Sequence, residues 1–206
     1  MKHMGCSLKR EVIDQTIAFH GHRCPGLMIG IRASELALKR LGNVEGKDLM
    51  AVVETDMCGV DAIQFLTGCT FGKGNLIHKD YGKMAFTFYD RGKGTGFRIL
   101  FCPEASADSG PELQELMKKT EAGSISEEEQ ARIQILREKL QAQYMDLGLE
   151  EMFIVTEVTS SAPKPARILQ SLRCEACGEM AMESRTRRFA GKTLCLPCFE
   201  KMEQKV

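Results

Sequence analysis

The sequence predicts an α+β protein in which helices pack on a mixed or antiparallel β-sheet, followed by a small zinc-finger domain of the treble-clef or ribbon-like type. Two observations support this prediction. Segments typical of strands are interleaved irregularly with segments of helical periodicity, and one pair of strands is joined as a hairpin. Near the C-terminus, four cysteines form two Cys-X-X-Cys pairs, which is the spacing of a structural zinc site.

The composition is that of a globular protein. Its 206 residues suit one medium-sized domain with a small appendage. No apolar run approaches the roughly 18 residues that span a membrane, and Met1 to Cys6 lack the apolar stretch of a secretory signal, so we expect a cytoplasmic protein. The 28 basic and 28 acidic residues favour neither nucleic acid nor a membrane as a partner. Nine cysteines in such a chain favour metal ligation over disulfides.

The predicted elements of the main domain follow from periodicity and end signals. In chain order they are helices over 7–19 and 27–41, a strand over 49–55, a short helix between Cys58 and Cys69, strands over 83–90 and 96–101, helices over 111–119 and from Ser126, and a strand over 151–158. Gly42-Asn43 is expected to end the second helix. Ser126 and Glu129 indicate a capping box. Arg91-Gly92-Lys93-Gly94 indicates the hairpin turn.

The composition of Ser160-Ser161-Ala162-Pro163-Lys164-Pro165 is typical of a linker. We therefore predict a main domain over residues 1–160, a linker over 161–171 and a finger over 172–206.

The finger contains Cys174-Glu175-Ala176-Cys177 and Cys195-Leu196-Pro197-Cys198, separated by 17 residues. The residues between the pairs are long enough for a hairpin that turns at Ala190-Gly191. Four thiolates complete a tetrahedral zinc shell and leave no position for a substrate, so this zinc is expected to be structural. Two redox pairs are the alternative, although some 35 residues cannot supply a thioredoxin-like surrounding.

Basic residues cluster on this hairpin at Arg185, Arg187 and Arg188. Few charges are involved and aromatic residues for stacking are scarce, so nucleic-acid binding is disfavoured. We expect the finger to dock a partner or to stabilise a dimer.

The candidate site of the main domain is His20-Gly21-His22-Arg23-Cys24-Pro25-Gly26. In an extended segment, residues two apart point to the same side, so His20, His22 and Cys24 can converge on one ion. Imidazole and thiolate ligands suit zinc or another transition metal. Pro25 suits the first helical position, which makes Cys24 the N-cap and favours its thiolate. The alternative is a chance His-X-His and a cysteine that acts as a small hydrophobe.

Further candidates lie around the short third helix. Cys58 and Cys69 flank this helix, so their thiols are expected roughly 15 Å apart at about 1.5 Å per residue, unless the chain doubles back. Asp61, in the first turn, is either a surface carboxylate that compensates the helix dipole or a nearby ligand or base. Lys73 lies in a glycine-rich loop without the Walker spacing, which indicates a turn or a loop over a cavity.

These segments together resemble the E-subunit family of formylmethanofuran dehydrogenase. The resemblance rests on residues 19–26, 61–64, 67–75 and 80–83. The last four cysteines resemble the zinc-finger tails of some members and the fingers of the DksA/TraR type. The resemblance implies an α+β core, commonly dimeric, with a metal-binding cleft. The ligands that it implies are His20, His22, Cys24, Cys58 and Cys69, with Asp61 and Lys73 nearby.

Three hypotheses for function follow. In the first, the cleft holds zinc or another transition metal with an open position, in a metal-dependent enzyme or an accessory subunit of one-carbon redox metabolism. Cys58 or His22 would then act as nucleophile or base, and Lys73 would contact an anion. In the second, the protein is a metal carrier or metal-responsive regulator that docks a partner through the finger. The third is thiol redox chemistry by Cys24, Cys58 and Cys69.

The expected partners follow from the resemblance and the composition. We expect a homodimer, with a protein partner or a small-molecule substrate, and neither membrane nor nucleic-acid binding.

Overall fold

The computed structural model describes residues 5–42, 48–106, 110–165 and 167–202. It divides the chain into two compact units, residues 1–165 and 166–206. Asn43, in the expected end signal of the second helix, lies outside the described residues. Gly42 follows that helix with a positive φ of 70°.

The first unit has the predicted α+β class. Its elements are α1 (Arg10–His20), α2 (Pro25–Leu41), β1 (Leu49–Val53), α3 (Gly59–Thr67), β2 (Leu76–His78), β3 (Ala85–Asp90), β4 (Thr95–Phe101), α4 (Gly110–Glu121), α5 (Glu127–Asp146), α6 (Leu149–Met152) and β5 (Phe153–Val158). The strands form one mixed sheet in the order β2-β1-β3-β4-β5, in which β1 and β2 are parallel and the other pairs are antiparallel.

Two strand predictions differ from the structure. β2 was not predicted, because three residues are too short to show an alternating pattern. The last strand begins at Phe153, two residues later than expected, because residues 149–152 form a helical turn. The hairpin between β3 and β4 is confirmed, with Asp90 paired to Thr95.

The core lies mainly on the helical side of the sheet. Along β1, Leu49, Ala51 and Val53 pack in the main cluster with residues of α2 and α3, while Met50 and Val52 belong to a smaller cluster on the opposite face. All five residues are buried. Because both faces of β1 are covered, it reads in the sequence as a continuous apolar run.

Two helices of this unit cross at glycines. A Cβ added to Gly30 of α2 would lie 2.2 Å from the carbonyl oxygen of Gly59, and one added to Gly59 would lie 3.1 Å from the carbonyl oxygen of Gly26. Only glycine allows the two backbones to approach this closely. The contact sets the first turn of α3 against the start of α2, where a Cβ on Gly26 would lie 3.4 Å from the Cβ of Cys58.

A buried arginine joins α2 to the end of α5. Arg32 is 1% exposed and donates hydrogen bonds of 2.8 Å to the carbonyl oxygens of Tyr144, Met145 and Leu147. Its Nε lies 2.8 Å from a carboxylate oxygen of Glu35 as an ion pair, although the angle is not that of a hydrogen bond. A buried charge is stable only when it is paired in this way, so α5 is fixed against α2.

The second unit contains two short hairpins and a helix. These elements are β6 (Ser171–Arg173), β7 (Met180–Met182), β8 (Thr186–Phe189), β9 (Lys192–Cys195) and α7 (Leu196–Glu200). β8 and β9 turn at the predicted position, where Ala190 and Gly191 have φ values of 47° and 78°. Two consecutive positive φ values are typical of a tight hairpin turn.

Replacing Gly30 by alanine is expected to destabilise the first unit by about 2–3 kcal/mol or more, because the new methyl group would meet the backbone of α3. Gly72→Ala is the control, since a Cβ there has nothing within 4 Å. Urea unfolding followed by circular dichroism measures both variants. Equal unfolding midpoints for the two variants would show that α2 and α3 do not depend on this close approach.

Candidate metal centre

Four side chains of the first unit converge near the start of α2. His20, His22, Cys24 and Cys58 each offer one donor atom, and the four atoms lie within 4.8 Å of one another. In a tetrahedral zinc shell with bonds of about 2.0–2.3 Å, donor atoms are about 3.3–3.8 Å apart. Side-chain movements of about 1 Å would therefore bring these four atoms to bonding distance of one ion. We refer to these four residues as the cleft group.

The chain between α1 and α2 is not extended, as the sequence argument assumed. His20 is the last residue of α1, and Gly21 reverses the chain with a φ of 90°. Cys24 is the N-cap of α2, as predicted, with Pro25 in the first helical position, and its Sγ accepts a 3.4 Å hydrogen bond from the backbone N–H of Leu27. The residues converge because a helix end, a left-handed turn and a helix start follow one another directly.

Asp61 orients the first histidine. Its carboxylate lies 2.7 Å from Nδ1 of His20, whose side chain is only 10% exposed. Gln64 donates to the other oxygen of Asp61 at 3.4 Å. With Nδ1 bonded to the carboxylate, Nε2 of His20 faces the Sγ of Cys24 at 3.9 Å. A carboxylate that holds the second nitrogen of a metal-binding histidine is a common feature of metal sites.

The cleft group opens to solvent on one side. His22 is exposed, whereas His20, Cys24 and Cys58 are half-buried. The rings of His20 and His22 lie 4.4 Å apart between centroids. The exposed imidazole therefore forms the solvent side of the group.

Burial governs the thiol of Cys24 in the absence of a metal. It raises the pKa of Cys24, and the neighbouring sulfur of Cys58 raises it further, while the N–H of Leu27 lowers it. The expectation that the helix N-terminus favours the thiolate is therefore wrong for the metal-free site, because burial is the larger effect. A bound cation would reverse this balance.

The structure does not bring Cys69 or Lys73 to the cleft group. Cys69 is fully buried, and its Sγ lies 3.6 Å from the carbonyl oxygen of Leu49. The ammonium of Lys73 donates to the carbonyl oxygen of Gly68 at 3.0 Å. Both residues lie near the C-terminal end of α3 and Cys58 lies at its start, about 13 Å apart along nine residues. Of the three thiols in the redox hypothesis, only Cys24 and Cys58 are neighbours.

The second unit holds the four-cysteine group that the sequence predicted. Donor atoms of Cys174, Cys177, Cys195 and Cys198 lie within 4.8 Å of one another, and the sulfurs of Cys177 and Cys195 are 3.9 Å apart. Backbone N–H groups of Cys177 and Cys195 donate toward the sulfur of Cys174 and lower its pKa to about 6. A thiolate stabilised in this way is ready to bind zinc at neutral pH.

Sequence reasoning did not identify Gln64 as part of the site. Asp61 and Gln64 lie three residues apart on α3, and side chains at this spacing share one face of a helix. That spacing was the available signal. Asp61 itself is the partner of a candidate ligand, which decides between the two roles considered for it.

Comparison with known families agrees with this geometry. Residues 19–154 match the family model FmdE, described as "Molybdenum formylmethanofuran dehydrogenase operon". This match covers more than half of the chain, and it includes every residue of the cleft group. The chain belongs to the FmdE family. Residues 167–204 match the prokaryotic dksA/traR C4-type zinc finger, so the predicted combination of an FmdE domain with a four-cysteine finger is confirmed.

Two relatives of this FmdE-family chain are informative. A protein of Archaeoglobus fulgidus named "Probable S-adenosyl-L-methionine-binding protein" is 35% identical over 188 residues, which cover 87% of this chain and 50% of that protein. The chain thus spans about half the length of this curated relative. A crystal structure of an FmdE-like protein of tungsten formylmethanofuran dehydrogenase from Syntrophus aciditrophicus covers 100% of both chains, with a TM-score of 0.63 and 23% identity. That likeness shows a shared fold.

The helices were also compared with the dimensions of a membrane. Within the described ranges of this FmdE-family chain, no helix is long and apolar enough to cross one.

Replacing Asp61 by asparagine is expected to weaken metal binding by the cleft group about 10- to 100-fold, because His20 would lose the carboxylate that orients it. Competition with a chelator of known affinity measures the change. Asp14→Asn is the control, since Asp14 is an exposed carboxylate on α1 that pairs with Arg10. Equal affinities in the two variants would contradict the role assigned to Asp61.

Proposed function

We propose that the protein uses a zinc or another transition-metal ion, bound by the cleft group, to act on a small molecule at the solvent side of the first unit. The 2.7 Å contact between His20 and Asp61 is the observation that carries this proposal. It fixes which nitrogen of His20 faces the other donors, as in metal sites whose ligands are held in place before the ion binds.

The burial of the four donors supports unequal roles for them. His20, Cys24 and Cys58 are half-buried, so they would hold the ion. His22 is exposed and would leave its position to a substrate oxygen or to water, and its free imidazole would then serve as a base. A bound ion would supply a Lewis acid that polarises a carbonyl group or lowers the pKa of water. The finger, with four cysteines, would hold a structural zinc ion.

S-adenosyl-L-methionine is a candidate for the small molecule. The name of the Archaeoglobus fulgidus protein supports this choice, since its match covers 87% of this chain. In that case the FmdE domain itself would bind the ligand, without the remaining half of the relative.

A metal carrier or metal-responsive regulator is the second candidate function. It is favoured by the number of donors, because four protein ligands complete a tetrahedral shell and leave no position for a substrate. In this case His22 would hold the ion as firmly as the other three ligands, and the finger would dock the partner that receives or senses the metal.

Metal content per chain tests the proposal. We expect two ions in the wild-type protein, one in Cys24→Ser, and two in His22→Ala, because the three remaining ligands still hold the ion. Cys69→Ser is the matched thiol control and should keep both ions, since Cys69 lies away from the cleft group. Elemental analysis of protein purified without added metal gives these counts.

Two results would contradict this proposal in different ways. One ion in the wild-type protein, retained in Cys24→Ser, would mean that only the finger binds metal. One ion in His22→Ala would favour the carrier, in which all four ligands are needed.

Equilibrium dialysis with radiolabelled S-adenosyl-L-methionine tests the ligand. We expect saturable retention of about one molecule per chain by the full-length protein, unaffected by Cys198→Ser, which alters only the finger. The absence of retention at millimolar ligand would remove this molecule from the proposal and leave the metal counts unaffected.

A further inference from the structure

A pocket faces α5 next to the loop that carries the cleft group. Its volume is about 370 Å³, and it is lined by Arg23, Glu138, Gln141 and Ala142. This volume lies in the range of small-molecule sites, roughly 300–1,000 Å³. Arg23 stands between His22 and Cys24 in the chain, so the pocket is one residue away from two members of the cleft group.

One side chain in this pocket is buried without a partner. Gln141 is only 3% exposed, and its amide makes no hydrogen bond with any residue that the structure describes. Buried amide groups nearly always have a hydrogen-bond partner, and one that lacks it requires an explanation. Because Gln141 lines the pocket, a ligand that fills the pocket is the partner that the protein itself does not supply.

Two opposite charges line the same pocket and do not neutralise each other. The guanidinium of Arg23 and the carboxylate of Glu138 form no ion pair, with one another or with other charged side chains in the described part of the chain. Glu138 accepts one hydrogen bond at Oε1, from the amide of Gln134 at 2.8 Å. Its second oxygen and the five N–H donors of Arg23 remain available.

We propose that this pocket binds the amino-acid end of a small molecule, that is, a carboxylate and an ammonium group on the same carbon. The carboxylate accepts hydrogen bonds from Arg23 and from the amide of Gln141, and the ammonium donates to Glu138. Charge-assisted hydrogen bonds of this kind are stronger than neutral ones. A ligand with only a carboxylate would leave Glu138 facing a negative charge, and one with only an ammonium would leave Arg23 unpaired.

This inference goes beyond the metal centre and does not depend on it. The pocket residues are not metal ligands, so Arg23→Gln and Glu138→Gln should each keep two ions per chain. Failure of the metal proposal would appear in the ion count, whereas failure of the pocket proposal would appear in ligand binding alone.

Calorimetric titration of the full chain with each of the twenty proteinogenic L-amino acids tests the proposal. We expect saturable binding of at least one, and about tenfold weaker binding or less to Arg23→Gln and to Glu138→Gln, since each loses a charge-assisted hydrogen bond. The deamino acid and the amide of the best ligand should each bind at least about tenfold more weakly than the amino acid itself.

Three variants control for charge and for folding. Lys139→Gln and Glu128→Gln remove single charges from exposed positions of α5 outside the pocket lining and should bind like the wild type. Gln141→Met has a similar length without hydrogen-bonding groups, so it should weaken binding while the thermal midpoint stays equal or rises. A fall in the midpoint with unchanged binding would give Gln141 a structural role. Saturable binding by none of the amino acids, or equal binding of the deamino acid, would overturn the proposal.

Discussion

The close approach of α2 and α3 at Gly30 and Gly59 is the contact on which the cleft group depends. A side chain at either position would separate the two helix backbones. Two functional contacts start from the first turn of α3, since Cys58 precedes it and Asp61 lies within it. Without this crossing, Cys58 would not lie near Cys24, and Asp61 would not reach His20. The glycines thus act on the site through backbone distance alone.

The cleft group combines donors that are fixed to different degrees. His20 is held by Asp61 from one side and faces Cys24 on the other. Burial and the nearby sulfur of Cys58 raise the pKa of Cys24, so the metal-free site keeps this thiol protonated. An incoming ion must displace that proton, which makes metal binding dependent on pH. The finger differs, because backbone N–H groups already lower the pKa of Cys174.

The loop from His20 to Cys24 connects the metal centre to the pocket on α5. Its histidines and cysteine face the first turn of α3, while Arg23 lines the pocket with residues of α5. The position of α5 depends on the buried Arg32, which bonds three carbonyl oxygens at and beyond its C-terminal end. α2 therefore positions both neighbours, by glycines on the α3 side and by a buried charge on the α5 side.

Much of the fold could be predicted from local pattern. The helices, the β3–β4 hairpin and the turn at Ala190-Gly191 depend on periodicity and on turn residues close in the chain. β2 could not be predicted, because a three-residue strand is defined only by its pairing with β1. The extended conformation assumed for His20 to Cys24 was wrong, because the alternation of ligands suggested a strand where α1 ends and α2 begins.

The sequence by itself determined the donor sets whose members are close in the chain: the four cysteines of the finger, and His20, His22 and Cys24. Spacing alone decides such sets, because a few residues of backbone limit how far apart the donors can lie. Only the tertiary structure decided that Cys58 joins them and Cys69 does not, that Asp61 orients a ligand, and that Gln141 lines a pocket. These outcomes depend on how helices pack, and packing distances are set by contacts between segments distant in the sequence.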